Sequence, residues 1–155
     1  MRSWRSERGA LLAVVGLGLA AVALLGGCGN EKRDFREDRL NPLVRRVGEE
    51  RAVLASVLRA SRPGRARDGR ALRSQLARLG AVMRRIAALE PPDGVEDRFE
   101  RYTRANAALL AALRRFVDAF AGGASEGAQR TAARRTQTTL ATANRAQRAL
   151  QQALR

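Results

Sequence analysis

The chain has 155 residues, which is room for one ordinary domain. It contains 30 lysines and arginines against 15 aspartates and glutamates, a single cysteine and no histidine. This composition excludes an internal disulfide and a zinc site of the usual cysteine–histidine kind. The net charge of +15 favours anionic partners, although arginines that only solvate helix faces would leave the same composition.

The first 27 residues have the three regions of a secretory signal. Three arginines lie within the first eight residues, residues 10–25 carry no charge, and two glycines precede Cys28. The apolar run is short for a helix that must cross a bilayer core, which takes ~20 residues. The pattern predicts a cleaved signal peptide over residues 1–27, with an uncleaved membrane anchor as the alternative.

The residues Leu25, Gly26, Gly27 and Cys28 resemble the lipobox of bacterial prolipoproteins, in which a leucine and two small residues precede a cysteine. The resemblance implies that the Cys28 thiol receives a diacylglyceryl group and that the signal is cleaved between Gly27 and Cys28. It also implies an exported chain, anchored on the outer side of the bacterial cytoplasmic membrane, or on an outer membrane where one is present. Two acyl chains anchor a protein stably, so no further membrane-binding element is required.

Residues 28–40 are polar and charged, and predict a tether behind the lipidated cysteine, while residues 41–155 predict a helical domain. The first helix is predicted over 42–61. Asn41 is its expected N-cap, and Pro42 takes the first helical position, where its missing N–H leaves no hydrogen bond unmade. One apolar stripe follows this helix: Leu43, Val44, Val47, Leu54, Val57 and Leu58.

The second helix is predicted over 69–89, after the break made by Pro63 and Gly64, with Asp68 as its expected cap. Its large apolar residues alternate spacings of four and three, which is the seam of a helix bundle. The seam consists of Leu72, Leu76, Leu79, Met83 and Ile86.

The third helix follows two prolines, and Asp93 and Glu96 are spaced as an acidic variant of the capping box. It ends before Gly122 and Gly123, either of which suits a left-handed cap. Most aromatic residues of the chain lie here, so this helix is expected at the centre of the core. A polar residue, Asn106, interrupts its seam, either to fix register or oligomeric state or to contact a ligand. The seam consists of Val95, Phe99, Tyr102, Asn106, Leu109, Leu113, Phe116 and Phe120.

The fourth helix is predicted from Ser125 to the end, and has only three large apolar residues, Leu140, Leu150 and Leu154. It either packs closely through small side chains or frays. The connections between the predicted helices are short, so neighbouring helices are expected to be antiparallel. The predicted fold class is therefore all-α, an antiparallel up-down four-helix bundle.

The stretch LARLGAVMRRIAALEPPDGVEDRFERY resembles small arginine- and alanine-rich helical lipoproteins of high-GC bacteria, in which a Leu-x-Pro-Pro turn separates two helices. The resemblance covers roughly residues 70–120. It implies a helical fold, and it carries over no activity and no site residues.

The sequence contains no recognisable catalytic constellation. Histidine, the commonest general base, is absent, and no serine lies in a Gly-x-Ser-x-Gly turn. Glu96 and Glu100 share a helix face, but capping and surface ion pairs explain this cluster. We therefore predict a non-enzyme with no catalytic residues, no metal and no cofactor.

Each predicted helix carries an arginine doublet, and antiparallel helices would place two doublets at the tethered end and two at the opposite end. Such basic ends would suit anionic lipid, an acidic envelope polymer or an envelope protein. The alternative is coincidence, since residues 28–155 contain 27 cationic side chains. The candidate basic surface consists of Arg45, Arg46, Arg84, Arg85, Arg114, Arg115, Arg134 and Arg135.

Together these features predict a membrane-anchored lipoprotein whose helical domain binds or scaffolds something in the cell envelope. The alternative is a carrier of a small apolar ligand, which would need a cavity along Phe99–Phe120. Nucleic-acid binding conflicts with the export signal, and the chain offers bases few exposed aromatic side chains on which to stack.

Overall fold

The computed structural model describes residues 30–155, and all regular structure within that range is helical, as predicted. Helix α1 continues without a break through a π-helical segment into α2, so the described residues form four helical rods. The elements in chain order are α1 (Asn30–Asp34), the π-helical segment (Phe35–Leu40), α2 (Asn41–Ala60), α3 (Ala66–Ala87), α4 (Glu96–Ala121) and α5 (Glu126–Ala153).

Residues 30–40 differ from the predicted polar tether, because they are helical and contribute to the core. Phe35 and Leu40 are each only 3% exposed. The Phe35 ring packs edge-on against Phe99 of α4, with 5.8 Å between ring centroids. Arg36 donates a hydrogen bond to the backbone carbonyl of Leu154, which ties this segment to the end of the last helix. The folded domain therefore begins before residue 41.

A π-helical turn explains why the periodicity of an α-helix does not reveal this burial. Phe35 and Leu40 are five residues apart, which in an α-helix turns the two side chains about 140° away from each other. In the structure the Asn41 N–H donates to the Arg36 carbonyl, the i→i+5 bond that characterises a π-helix. The wider turn places both apolar side chains on the buried face.

The core is built from the two seams predicted for α3 and α4. Every residue of both seams is buried, and Leu72, Leu79 and Leu109 are at most 1% exposed. Helices α3 and α4 lie in opposite residue order, because Gly69 is beside Ala121 and Gly80 is beside Leu110. This order is what an antiparallel pair requires, while the up-down order of the whole bundle stays a prediction.

The structure corrects the predicted N-caps of three helices. The backbone of Asn41 is already helical, so Asn41 is not the N-cap of α2. Asp68 lies inside the first turn of α3, and its carboxylate accepts the Arg62 N–H at 2.7 Å, which closes the preceding loop. Helix α4 begins at Glu96 with no side-chain hydrogen bond from its capping residue, Val95. Helices α2, α3 and α4 therefore begin without the side-chain caps that the sequence predicts.

Two of the turns contain glycines in the left-handed conformation. Gly123, after α4, adopts the conformation that the sequence predicts, with φ +66°, and Gly64 in the loop between α2 and α3 has φ +75°. The Gly64 N–H donates to the Phe120 carbonyl at 3.0 Å. A side chain on either glycine would approach the backbone of the other, so the two loops touch through backbone alone.

Helix α5 packs through small residues, which is one of the two alternatives, close packing or fraying, that the sequence left open. Ser125 caps it by accepting the Ala128 N–H at 3.3 Å. Leu140 and Leu150 of this helix and Leu154 just after it are buried, and so are the small residues Thr136 and Ala143. Thr136 donates its hydroxyl to the Ala132 carbonyl one turn earlier, which satisfies the hydroxyl inside the interface.

Candidate functional site

The predicted lipidation and cleavage positions, Gly27 and Cys28, lie outside the described residues. Lipidation of Cys28, cleavage before it and the signal over residues 1–27 therefore stay predictions from sequence. Among residues 30–155, no helix combines the length and apolar character needed to cross a membrane. The same part of the chain contains no group of three or more acidic or cysteine side chains placed to hold a metal ion.

The first arginine doublet has partly a structural role. Arg46 forms ion pairs with Glu49 at 3.0 Å and with Glu50 at 3.2 Å. Glu50 is 7% exposed, and its carboxylate accepts a hydrogen bond of 2.5 Å from the side-chain amide of Gln75 in α3. Arg46 thus compensates a buried carboxylate at the α2–α3 interface, and only Arg45 of this doublet is free for another partner.

One arginine of the second doublet lies close to one arginine of the third, although the sequence pattern assigned these two doublets to opposite ends. The Arg84 and Arg114 guanidinium groups both reach Gly80, within 3.6 Å and 3.7 Å of the position that a Cβ would occupy there. Helical side chains lean toward the N-terminus of their own helix, so arginines on antiparallel helices converge from both directions. Two separate basic poles are therefore not formed by these residues.

The neighbouring residues Arg114 and Arg115 point to different helices. Arg115 turns toward α5, where it lines a depression of about 270 Å³ together with Arg135 of the fourth doublet. The floor of this depression consists of small residues such as Ala112, Ala128 and Thr131. The helix geometry thus splits the third doublet: Arg114 lies near Arg84 of α3, and Arg115 lies near Arg135 of α5.

A larger basic depression lies further along the same pair of helices, and the doublet pattern did not reveal it. It has a volume of about 660 Å³ and is lined by Arg98, Arg101 and Arg104 of α4 and by Arg145 of α5. The available sequence signal was the spacing of three between successive arginines on α4, which places them along one helix face. The two depressions together are called the α4–α5 groove below, with a large pocket and a small pocket.

The arginines of the α4–α5 groove are held to different degrees. Arg104 is paired with Glu100 at 2.7 Å. The Arg101 Nε donates to the Asp97 backbone carbonyl, and Arg145 donates to the Thr142 hydroxyl. Three further groove arginines are exposed, and their guanidinium groups form no hydrogen bond or ion pair with any residue in the range 30–155: Arg98, Arg115 and Arg135. Since neither pocket is lined by a carboxylate and only Arg104 is ion-paired, the groove presents a net positive charge.

A second polar group is buried between α2 and α4. Burial raises the pKa of the Tyr102 phenol, while a hydrogen bond from Asn106 and the positive charge of Arg51 act in the opposite direction. Burial also lowers the pKa of the Arg51 guanidinium, whose buried Nε has no hydrogen-bond partner among residues 30–155. Asn106 donates to the Tyr102 carbonyl within α4, so its amide is satisfied locally. These contacts explain the polar interruption of the seam without a ligand.

The pH dependence of stability is expected to follow Tyr102 on the alkaline side. The unfolded phenol has a pKa of ~10 and the folded phenol a higher one, so the folded state keeps this proton where the unfolded state loses it. The contribution is complete below pH ~10 and is lost as the pH rises through the folded pKa. Urea unfolding of the wild type should show this loss, and Tyr102→Phe should flatten the curve. Since Tyr102 is the only tyrosine, phenolate absorbance follows it directly, and titration at the ordinary value in the folded protein would contradict the prediction.

Comparison of the chain with protein-family models, with curated proteins and with solved structures finds no match.

Proposed function

We propose that this chain is a bacterial lipoprotein, anchored in the membrane through a diacylglyceryl group on Cys28. Its helical domain is a non-enzymatic binding or scaffolding module of the cell envelope. The observation that carries the anchoring is the order of residues at the amino terminus: a basic start, an uncharged run and Leu25-Gly26-Gly27-Cys28. The chain has no other cysteine and no histidine, so the Cys28 thiol has neither a disulfide partner within the chain nor an imidazole base.

The charge of the domain supports a binding function. The carboxyl-terminal part, residues 101–155, contains ten arginines and only two carboxylates, Asp118 and Glu126. Both carboxylates are already paired, with Arg73 at 3.2 Å and with Arg130 at 3.0 Å. An excess of positive charge on one pair of helices attracts anionic partners over a distance of about a Debye length.

The packing of the core favours this binding function over the carrier alternative. A carrier would need space along Phe99–Phe120, but the aromatic side chains there pack against other core residues. The Phe116 and Phe120 ring centroids are 6.1 Å apart, and Phe99 is covered by Phe35. The two pockets of the α4–α5 groove open on the outside of the bundle and have basic walls, which suits an anionic ligand and not an apolar one.

Mass spectrometry of the protein isolated from its native membranes tests the anchor. We expect a mature chain that begins with lipid-modified Cys28, and a Cys28→Ser variant that keeps its signal and carries no lipid. Ser6→Ala is the matched control, because it changes a residue outside the lipobox and should be processed like the wild type. A mature wild-type protein that retains Met1 and a free thiol would exclude the lipoprotein assignment.

Crosslinking in intact cells tests the binding or scaffolding function. The expected result is a reproducible envelope partner that is crosslinked by the wild type. Random recovery of abundant envelope proteins would remove the support for a scaffold.

A further inference from the structure

The two pockets of the α4–α5 groove lie along the same pair of helices, and arginines of both helices line each pocket. Three arginines of α4 and Arg145 of α5 face the large pocket, and Arg115 of α4 and Arg135 of α5 face the small pocket. Arginines on both walls can contact a ligand that lies between the helices from two directions at once. Guanidinium groups bind phosphate oxygens in a bidentate manner, which makes arginine well suited to phosphate recognition.

The floor of the groove limits the shape of the ligand. Between the arginines it consists of small side chains, among them the half-buried Ala105 and Ala146 in the large pocket. No aromatic side chain lines either pocket, so the groove offers no surface on which bases or sugar rings could stack. The Thr142 and Thr131 hydroxyls already donate to backbone carbonyls of α5. A slim chain that carries its anionic groups along its length fits these walls and this floor.

The spacing of the two pockets indicates an extended ligand. Arg104 and Arg115 are eleven residues apart on α4, which corresponds to about 16 Å along the helix axis. A single phosphate group can occupy only one pocket, whereas a linear polymer can contact both. A second contact made by the same chain raises its affinity through effective concentration.

We infer that the α4–α5 groove binds a linear polymer of phosphate groups, which lies along the seam between the two helices and contacts both pockets. The inference rests on the proposed function for the location of the polymer in the cell envelope, while binding itself is a property of residues in α4 and α5. A lipid surface fits less well, because a flat array of headgroups would contact the ridges of the helices and not the floor between them.

Binding of inorganic polyphosphate to the purified full chain in a neutral detergent tests this inference. We expect long-chain polyphosphate to bind at least ~10-fold more tightly than tripolyphosphate, because only the long chain reaches both pockets. The triple variant Arg98→Gln, Arg101→Gln, Arg145→Gln should lose at least ~10-fold in affinity for the long chain, since each lost charge-assisted contact is of that order. It should also lose most of the advantage of the long chain over tripolyphosphate.

The matched control removes three arginines from another surface. Arg59, Arg70 and Arg78 are exposed on α2 and α3, and none of them lines the groove. The triple variant Arg59→Gln, Arg70→Gln, Arg78→Gln changes the net charge by the same amount as the groove variant. Because its three positions lie outside the groove, it should bind long-chain polyphosphate within roughly threefold of the wild type. Equal losses in the two triple variants would show that only net charge matters, and would overturn the inference.

A second pair of variants keeps the test decisive if the triple variant does not fold. Ala149 is an exposed residue that lines the large pocket, and Ala141 is an exposed residue of α5 outside the groove. Ala149→Glu should weaken polyphosphate binding, whereas Ala141→Glu should not. If both bind equally, the groove is not the site. Circular dichroism checks that each variant keeps its helical content.

Two further outcomes separate this inference from the proposed function. If groove variants reduced binding to vesicles of anionic lipid but left polyphosphate binding unchanged, the groove would be a membrane contact and the inference would be wrong. If polyphosphate bound as expected while mass spectrometry found no lipid on Cys28, the groove assignment would stand and the membrane anchor would fall.

Discussion

Replacing Phe35 by alanine is expected to lower the free energy of unfolding by about 3–5 kcal/mol, the usual cost of removing a buried aromatic side chain. Phe35 is 3% exposed, packs edge-on against Phe99, and lies beneath the Arg39 guanidinium, 5.7 Å from the ring centroid. If residues 28–40 were a tether, the same substitution would leave stability unchanged. Urea denaturation of the two proteins, followed by far-ultraviolet circular dichroism, measures the difference.

The control for this prediction lies in the same segment. Asp38 is exposed, and its carboxylate forms no hydrogen bond or ion pair with any residue in the range 30–155. Asp38→Ala should therefore change the unfolding free energy by no more than about 0.5 kcal/mol. Equal, small effects of Phe35→Ala and Asp38→Ala would contradict the assignment of Phe35 to the core.

Substitution of Gly69 by alanine is expected to lower the free energy of unfolding by about 1–2 kcal/mol, although alanine is the better helix former. Gly69 is buried where α3 crosses α4, and an added Cβ would lie 2.7 Å from the Cβ of Ala121. Ala121 has no flexible side chain that could move aside, so the two helix backbones must separate. Because of this separation, contacts along the α3–α4 interface are lost.

Gly48 in α2 supplies the matched substitution with the opposite sign. An added Cβ at this position would meet nothing within 4 Å. Gly48→Ala should therefore raise the free energy of unfolding by about 0.5–1 kcal/mol, through the reduced conformational entropy of the unfolded chain. Thermal or urea unfolding of both variants measures the two changes in unfolding free energy. A stabilised Gly69→Ala protein would show that α3 and α4 are not in close contact at Gly69.

The α-helical periodicity of the sequence was sufficient to predict α2, α3 and α4 but not residues 30–40, the beginning of the first rod. The α3 and α4 seams repeat at four and three residues, so each large apolar residue returns to one helix face. In the first rod the apolar residues Phe35 and Leu40 are separated by five residues and surrounded by charges. A local widening of the helix brings them to the same face, where Phe35 packs against Phe99 and Arg36 donates a hydrogen bond to the Leu154 carbonyl.

Buried polar contacts could not be predicted from the sequence for a related reason. Glu50 and Gln75 are each ordinary surface residue types, and nothing in their neighbours marks them as a pair. Their hydrogen bond exists because α2 and α3 lie at one particular register, which places the two side chains opposite each other inside the interface. A register between helices depends on contacts made over the whole interface, and no single residue encodes it.

The arginine-rich surface shows the same division between what the sequence and the structure contribute. The sequence alone established that the carboxyl-terminal helices carry far more arginines than carboxylates, and the doublets suggested where this charge would concentrate. The helix geometry separates Arg114 from Arg115 and places Arg114 beside α3 and Arg115 beside α5. The groove with Arg98, Arg101 and Arg145 follows from the side-by-side packing of α4 and α5.

The sequence by itself determined the helical class, the positions of the main seams and the order of residues that predicts a lipid anchor at Cys28. These features depend on residues close together in the chain, where periodicity, glycine turns and the spacing of signal elements act directly. Only the tertiary structure decided that residues 30–40 belong to the core, which arginines are paired and which are free, and where a groove runs. Those properties depend on side chains that are distant in sequence and adjacent only after the helices have packed.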